Sequence, residues 1–298
     1  MKGRPILIYN RYTKAVEQEH APAEGALRFL YGCPAGALPL HLLVKRAFFS
    51  RLLGWSKNRL SSVSGIEPFI RKYGIEMKDF EIPKEGWRSF NEFFYRRTVP
   101  GARPVCGGGA PAFPADGRHS GWQDVSEMKG VFLKGQRFDL PALLGDEALA
   151  RRYAHGSLVL SRLSPVDYHR FHFVSAGIPS APRRIPGPLA SVSPLALRRR
   201  LAWLWTNKRE LTLLETPDFG TVLTVAVGAT GVGAIHQTYK SGRPVEKGDE
   251  QGYFAFGGST IITLFEEGRV RLAGDLSEHT SECMELYAHQ GDALGAAN

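Results

Sequence analysis

Apolar residues recur along this chain in two registers, one helical and one strand-like. Between Pro39 and Trp55, Leu42, Leu43, Ala47, Phe48, Leu52 and Trp55 fall near helical spacing, with Lys45, Arg46 and Arg51 between them. That spacing predicts an amphipathic helix, which could lie in a membrane interface or pack on the protein's own core. No run in this part reaches the ~20 apolar residues needed to span a bilayer. A further helical stretch is expected over 64–73, and Ser89 is placed to cap a short one at Phe90–Phe94. Pro100 to Pro104 and the glycines at 107–109 then mark a turn-rich connection, so the boundary is set near residue 105. Beyond it, short β-branched and aromatic runs at 157–163, 212–215, 221–227, 232–236 and 260–265 predict strands. The fold class is therefore α+β: a helical, membrane-associating amino-terminal region over 1–105 and a β-rich domain over 106–298.

Composition refines this picture. Hydrophobic residues at 43% against 22% charged exclude wholesale disorder, while 33 glycines and 19 prolines favour short strands and turns over a helical bundle. A net charge of +9 points to an anionic partner, either nucleic acid or an acidic lipid surface. No nucleic-acid motif or base-stacking signature accompanies it, which leaves the lipid surface. Cys33, Cys106 and Cys283 are widely spaced, with no CxxC, and suggest neither a disulfide framework nor a zinc site. Met1 to Asn10 lacks the apolar core of a secretory signal, so a cytoplasmic location is expected.

Four segments carry chemistry. Asp116 sits in a Pro114-Ala115-Asp116-Gly117 turn, a context that more often marks a plain turn than a catalytic acid. Asp167, His169 and His172 fall within six residues; the two imidazoles could ligate a metal on spacing alone, but no HExxH or cysteine pattern completes such a site. The glycine-rich turn over 227–235 lacks the lysine of a phosphate-binding loop and the GxGxxG spacing of a dinucleotide fold. Finally, Gly257-Gly258-Ser259-Thr260 leads into an apolar strand. Ser259 is not in a GxSxG elbow, and the two glycines before it permit the unusual dihedrals of a strained, self-reacting peptide bond.

These segments, in this order and spacing, resemble the phosphatidylserine decarboxylase family. Phe90 to Arg97 with Pro100 to Pro104 is similar to the family's amino-terminal signature, and GGST to its cleavage motif. The resemblance implies that Ser259 Oγ attacks the Gly258 carbonyl, with His172 as base and Asp116 orienting it. Cleavage would leave a covalent pyruvoyl group at 259 and two fragments, 1–258 and 259–298, held as a heterodimer that could oligomerise further. The pyruvoyl ketone would form a Schiff base with phosphatidylserine, and His169 would protonate the carbanion left by CO₂. Asp167 is as readily a turn or capping residue as a catalytic one. The expected location is the cytoplasmic face of the cell membrane, held peripherally on anionic lipid.

Three other readings stay open on the sequence. Asp116, His172 and Ser259 could form a serine hydrolase triad, although GGST is a poor context for one. A decarboxylase acting on a soluble amino acid would share the motifs. A basic lipid- or nucleic-acid-binding module would need no catalysis.

Overall fold

The structure, a computed structural model, describes residues 5–19, 24–40, 47–128, 138–230, 234–257 and 259–298. Its strands are β1 (Ile6–Asn10), β2 (Ala15–Glu19), β3 (Gly117–Trp122), β4 (Ser157–Leu163), β5 (Arg170–His172), β6 (Ile178–Pro179), β7 (Arg183–Ile185) and β8 (Arg209–Thr216). They continue with β9 (Gly220–Gly228), β10 (Ile235–Gln237), β11 (Glu250–Phe254), β12 (Ser259–Phe265), β13 (Val270–Leu272), β14 (Glu285–Ala288) and β15 (Gly295–Ala297). Among the described residues, five α-helices precede β3: α1 (Glu24–Gly32), α2 (Pro34–Pro39), α3 (Ala47–Lys57), α4 (Ile66–Tyr73) and α5 (Phe90–Phe94). The class is the expected mixture of α and β built on a large sheet.

That sheet has ten strands, in the order β2-β1-β14-β3-β4-β12-β9-β8-β6, with β7 also pairing β8. β12 sits in its middle, antiparallel to β4 on one side and β9 on the other. Every residue of β12 is buried, and alternate side chains feed different cores. Ile262 and Leu264 join Leu158, Leu160 and Val225 in the largest cluster, while Ile261 packs with Leu163, Phe171 and Phe254 beneath the small sheet β10-β11-β5. A strand buried on both faces loses its polar alternation, which is why 260–265 reads as a β-branched and apolar run with no period of two.

The amino-terminal region differs from the helical expectation at its start. Residues 6–19 form the hairpin β1–β2, and β1 pairs in parallel with β14, placing the hairpin at the edge of the large sheet. Buried charges tie it there. Arg162 of β4 reaches both Glu19 of β2 (2.6 Å) and Glu285 of β14 (2.6 Å). Its register partner Arg118 on β3 lies 3.1 Å from Glu19, off the line of a hydrogen bond, and pairs with Asp167. Burial pushes the Glu19 carboxyl up, but Arg162 and Arg118 outweigh it and hold it down at about 2. Removing one partner from such a set leaves a buried charge uncompensated, at a cost of roughly 3–5 kcal/mol.

The helix expected from Pro39 to Trp55 is found as α3 over its second half, and α2 ends at Pro39. Lys45 and Arg46 lie outside the described residues. Ser89 caps α5 as its sequence predicts, accepting a hydrogen bond from Glu92 N (3.1 Å). Among the described residues no helix is long and apolar enough to cross a membrane.

Candidate active site

The site forms where the central strand begins. Ser259 is fully buried, registered between Leu163 of β4 and Gly228 of β9. Its hydroxyl has no hydrogen-bond partner. A buried hydroxyl left unpaired costs roughly 1–3 kcal/mol, so such an atom calls for an explanation. Gly258 lies outside the described residues. Gly257 has φ of 138°, a conformation that favours glycine, so the chain enters Ser259 through backbone that a side chain would strain.

The FNEFF segment supports that turn. Asn91 Oδ1 accepts from Phe256 N (2.8 Å), and Asn91 Nδ2 donates to Asn58 Oδ1 (2.7 Å) just past α3. Phe94 lies against both Phe256 (5.1 Å between centroids) and the His169 ring (3.8 Å). The helix α5 thus reaches Phe256, just before the glycine pair, through the Asn91 amide and the Phe94 ring.

His169 is fully buried. Its Nδ1 bonds to Asp167 O (3.0 Å), which makes Nδ1 the donor and leaves Nε2 as the basic nitrogen. Nε2 is buried and makes no well-formed hydrogen bond, although the Gly257 backbone lies near enough to favour protonation slightly. Burial dominates and pushes His169 down to about 3, so the imidazole is neutral. Ser259 Oγ and His169 Nε2 are therefore both without a hydrogen-bond partner.

His172, in β5, is otherwise engaged. Its Nδ1 donates to Gly248 O (2.9 Å), and Nε2 faces the Tyr168 hydroxyl (3.1 Å). Burial lowers its pKa as well. Asp116 is buried just before β3, but its carboxylate is held by Arg103, with Nε 3.0 Å from both oxygens and Nη2 2.8 Å from Oδ2. Gln290 N donates to it too (2.9 Å). Asp116 is near enough for its charge to favour protonated His172, yet the two are not hydrogen-bonded and neither reaches Ser259. Asp167 accepts from Ser164 N (2.7 Å), as a turn or capping residue would, and pairs with Arg118; its acidity is nonetheless weakened by burial.

Arg103 and Tyr168 are site residues that received no role from the sequence. Nothing in a linear pattern says that an arginine thirteen positions upstream will grip Asp116 with two nitrogens. Gly117 is likewise more than a turn residue, because a Cβ there would stand 2.6 Å from Arg162 O of the neighbouring strand.

A buried serine with an unpaired hydroxyl thus stands at the start of a fixed strand, behind a glycine pair and closed to solvent. The residues also fit a pyruvoyl group at 259, since that position is anchored on both sides by strands and its side chain has nothing else to satisfy it. The family model for phosphatidylserine decarboxylase matches residues 90–284, and this chain belongs to that family. It is 40% identical over 296 residues to the phosphatidylserine decarboxylase proenzyme of Chlamydia trachomatis serovar D, covering 99% of this chain and 98% of that protein. The proenzyme of the same name from Fusobacterium nucleatum is 39% identical, with 99% of each chain covered. That of Ruminiclostridium cellulolyticum is 40% identical, covering 97% of each.

Proposed function

We propose that this protein cuts itself between Gly258 and Ser259 and then decarboxylates phosphatidylserine to phosphatidylethanolamine at a membrane surface. The observation that carries the reading is the buried, unpaired Ser259 hydroxyl behind the Gly-Gly turn. Addition of Oγ to the Gly258 carbonyl carbon turns the amide into an ester. Elimination of the Cα proton breaks the ester and frees the Gly258 carboxylate. Water then displaces the nitrogen at 259 as ammonia.

His172 is the base for this cleavage and Asp116 its electrostatic partner. Its Nε2 must exchange the Tyr168 hydroxyl for that of Ser259, which it does not reach in this structure. When formed, the pyruvoyl group supplies an electrophilic carbonyl whose conjugation takes up the electrons that CO₂ leaves behind. His169 Nε2, neutral and unpaired, takes a proton from the substrate ammonium and returns it to the carbon that lost CO₂. Phe94 covers its ring and keeps water from that nitrogen.

Intact mass under denaturing conditions tests the reading. Fragments 1–258 and 259–298 are expected, the smaller with no free amino terminus. Under native conditions they stay together as a heterodimer. The smaller carries both β12 and β14, and each is flanked on both sides by strands of the larger. An active chain that remains whole would overturn the proposal.

The membrane part rests on α3. Phe48, Leu52 and Trp55 are all exposed, at spacings of four and three that align them on one side of the helix. Lys57, at the end of α3, lies over Phe256 (5.2 Å), two residues before the scissile bond, so this stripe adjoins the reaction centre. Replacing the three by Ser should weaken co-sedimentation with phosphatidylserine vesicles at least ~10-fold, given roughly 1.5–3 kcal/mol for each large apolar side chain buried. Self-cleavage should be unaffected. Equal binding by the variant would remove α3 from the membrane contact.

A further inference from the structure

Arg96 is buried, with no carboxylate partner among the described residues. Nη1 donates to Phe93 O at 3.3 Å and Nη2 to Val166 O at 3.2 Å, both long, while Nε has no partner. Phe80 and Phe93 sandwich the guanidinium at 4.1 and 4.8 Å. Burial pushes its pKa down to about 10, as it does for Arg209, so the two differ in their hydrogen bonds and not in the direction of that shift. Arg209 gives the contrast. It too is buried without an acid, but its three nitrogens reach backbone carbonyls at 2.6, 2.9 and 2.7 Å. Arg96 keeps donor capacity that Arg209 has spent.

Arg96 stands between two cavities. One, of about 280 Å³, is lined by Glu76, Asp79, Asp116 and Asp167 together with Arg103 and Arg118, and since both of those arginines are already paired with its acids it is a poor place for a further anion. The other, of about 480 Å³, has apolar walls from Ile82, Trp87 and Tyr95, with Lys84 and Arg97 at its rim. Both rim cations are exposed and carry no ion pair among the described residues. The acids there are Glu81 and Glu92, the second accepting a hydrogen bond from Arg88 N (2.6 Å), while Arg170 is matched to Glu250 (2.7 Å). Three unmatched cations face two carboxylates. The cavity is also close to the chemistry, because Trp87 packs edge-on to Phe93 (5.7 Å) and the next residue, Phe94, covers His169.

We infer that this second cavity binds the phosphodiester anion of the lipid headgroup, with Arg96 at its floor and Lys84 and Arg97 at its rim. The inference rests on the decarboxylase reading and adds the group by which substrate is held. Guanidinium suits the role because its planar fork donates to two phosphate oxygens at once. A phosphate fixed there leaves the serine moiety on the side of His169 and residue 259.

The test uses the mature protein and a short-chain phosphatidylserine below its micellar concentration, so that membrane docking plays no part. Two variants are compared with wild type: Arg96→Lys, and the rim pair Lys84→Ala with Arg97→Ala. Each should cut itself fully and keep kcat within about threefold, while KM rises roughly tenfold or more. Inorganic phosphate should inhibit the wild type competitively and the variants less. Short-chain phosphatidylethanolamine, which keeps the phosphate and lacks the carboxylate, should lose its inhibition in proportion. An unchanged KM overturns the inference, and so does a raised KM with intact inhibition by phosphatidylethanolamine, which would assign Arg96 to the substrate carboxylate. If Arg96→Lys fails to mature, the exposed rim pair carries the same test. Failure of the decarboxylase reading looks different, since the wild type itself would then turn over no lipid.

Discussion

Ser259→Ala should remain one 298-residue chain with no measurable decarboxylation. Alanine has no oxygen to add to the Gly258 carbonyl, so neither the ester nor any group derived from it can form. The fold should tolerate the change well. Ser259 is fully buried and its hydroxyl makes no hydrogen bond, so its removal breaks no contact and relieves an unpaired polar atom. Thermal unfolding of the variant should accordingly match or exceed that of an uncut wild-type chain. This separates lost chemistry from lost structure. Cleavage of the alanine variant at the same bond, seen by intact mass, would show that another group attacks and would remove Ser259 from the mechanism.

His169→Ala should mature and then turn over some 10²–10⁴-fold more slowly, the usual range for losing a positioned acid or base. His172→Ala and Asp116→Asn should instead stay uncut. Tyr168→Phe should still cut, because it only frees the His172 nitrogen that the hydroxyl now occupies. His169→Gln is the control for packing, since it refills part of the space against Phe94 without restoring a base. The pH dependence follows from burial. With its pKa pushed down to about 3, His169 is neutral at every pH above that value and gains its proton only in the course of the reaction. Turnover should therefore show no limb between pH 5 and 8 from protonation of His169 in the free protein. If His169→Ala fails to mature, the residue belongs to self-cleavage; if turnover is unchanged, it is structural.

Local chemistry made much of the β-rich half legible in advance. The run 157–163 coincides with β4, and 260–265 with all but the first residue of β12, because strands buried on both faces draw mainly on apolar and β-branched residues. The Ser89 cap was equally local, needing only the next three residues. The hairpin β1–β2 was not visible. Leu7 and Val16 face solvent there, and its turn places Lys14 at φ of 53° without a glycine to announce it. What fixes the hairpin is parallel pairing with β14 at the opposite end of the chain, a contact that no local pattern encodes.

The site divides in the same way. The sequence by itself determined which reactive groups exist, Asp116, His169, His172 and Ser259, and that a glycine pair precedes the serine, because residue type and neighbours settle those. Only the tertiary structure decided what each group is free to do. It gave Asp116 to Arg103, His172 to Gly248 and Tyr168, and left His169 Nε2 and Ser259 Oγ without partners. It also matched Arg162 to buried acids of β2 and β14, and Arg118 to Asp167 beyond β4, while leaving Arg96 without an acid partner among the described residues. The reason is physical: whether a polar atom is satisfied depends on what the folded chain brings within about 3 Å of it, and those partners come from distant strands.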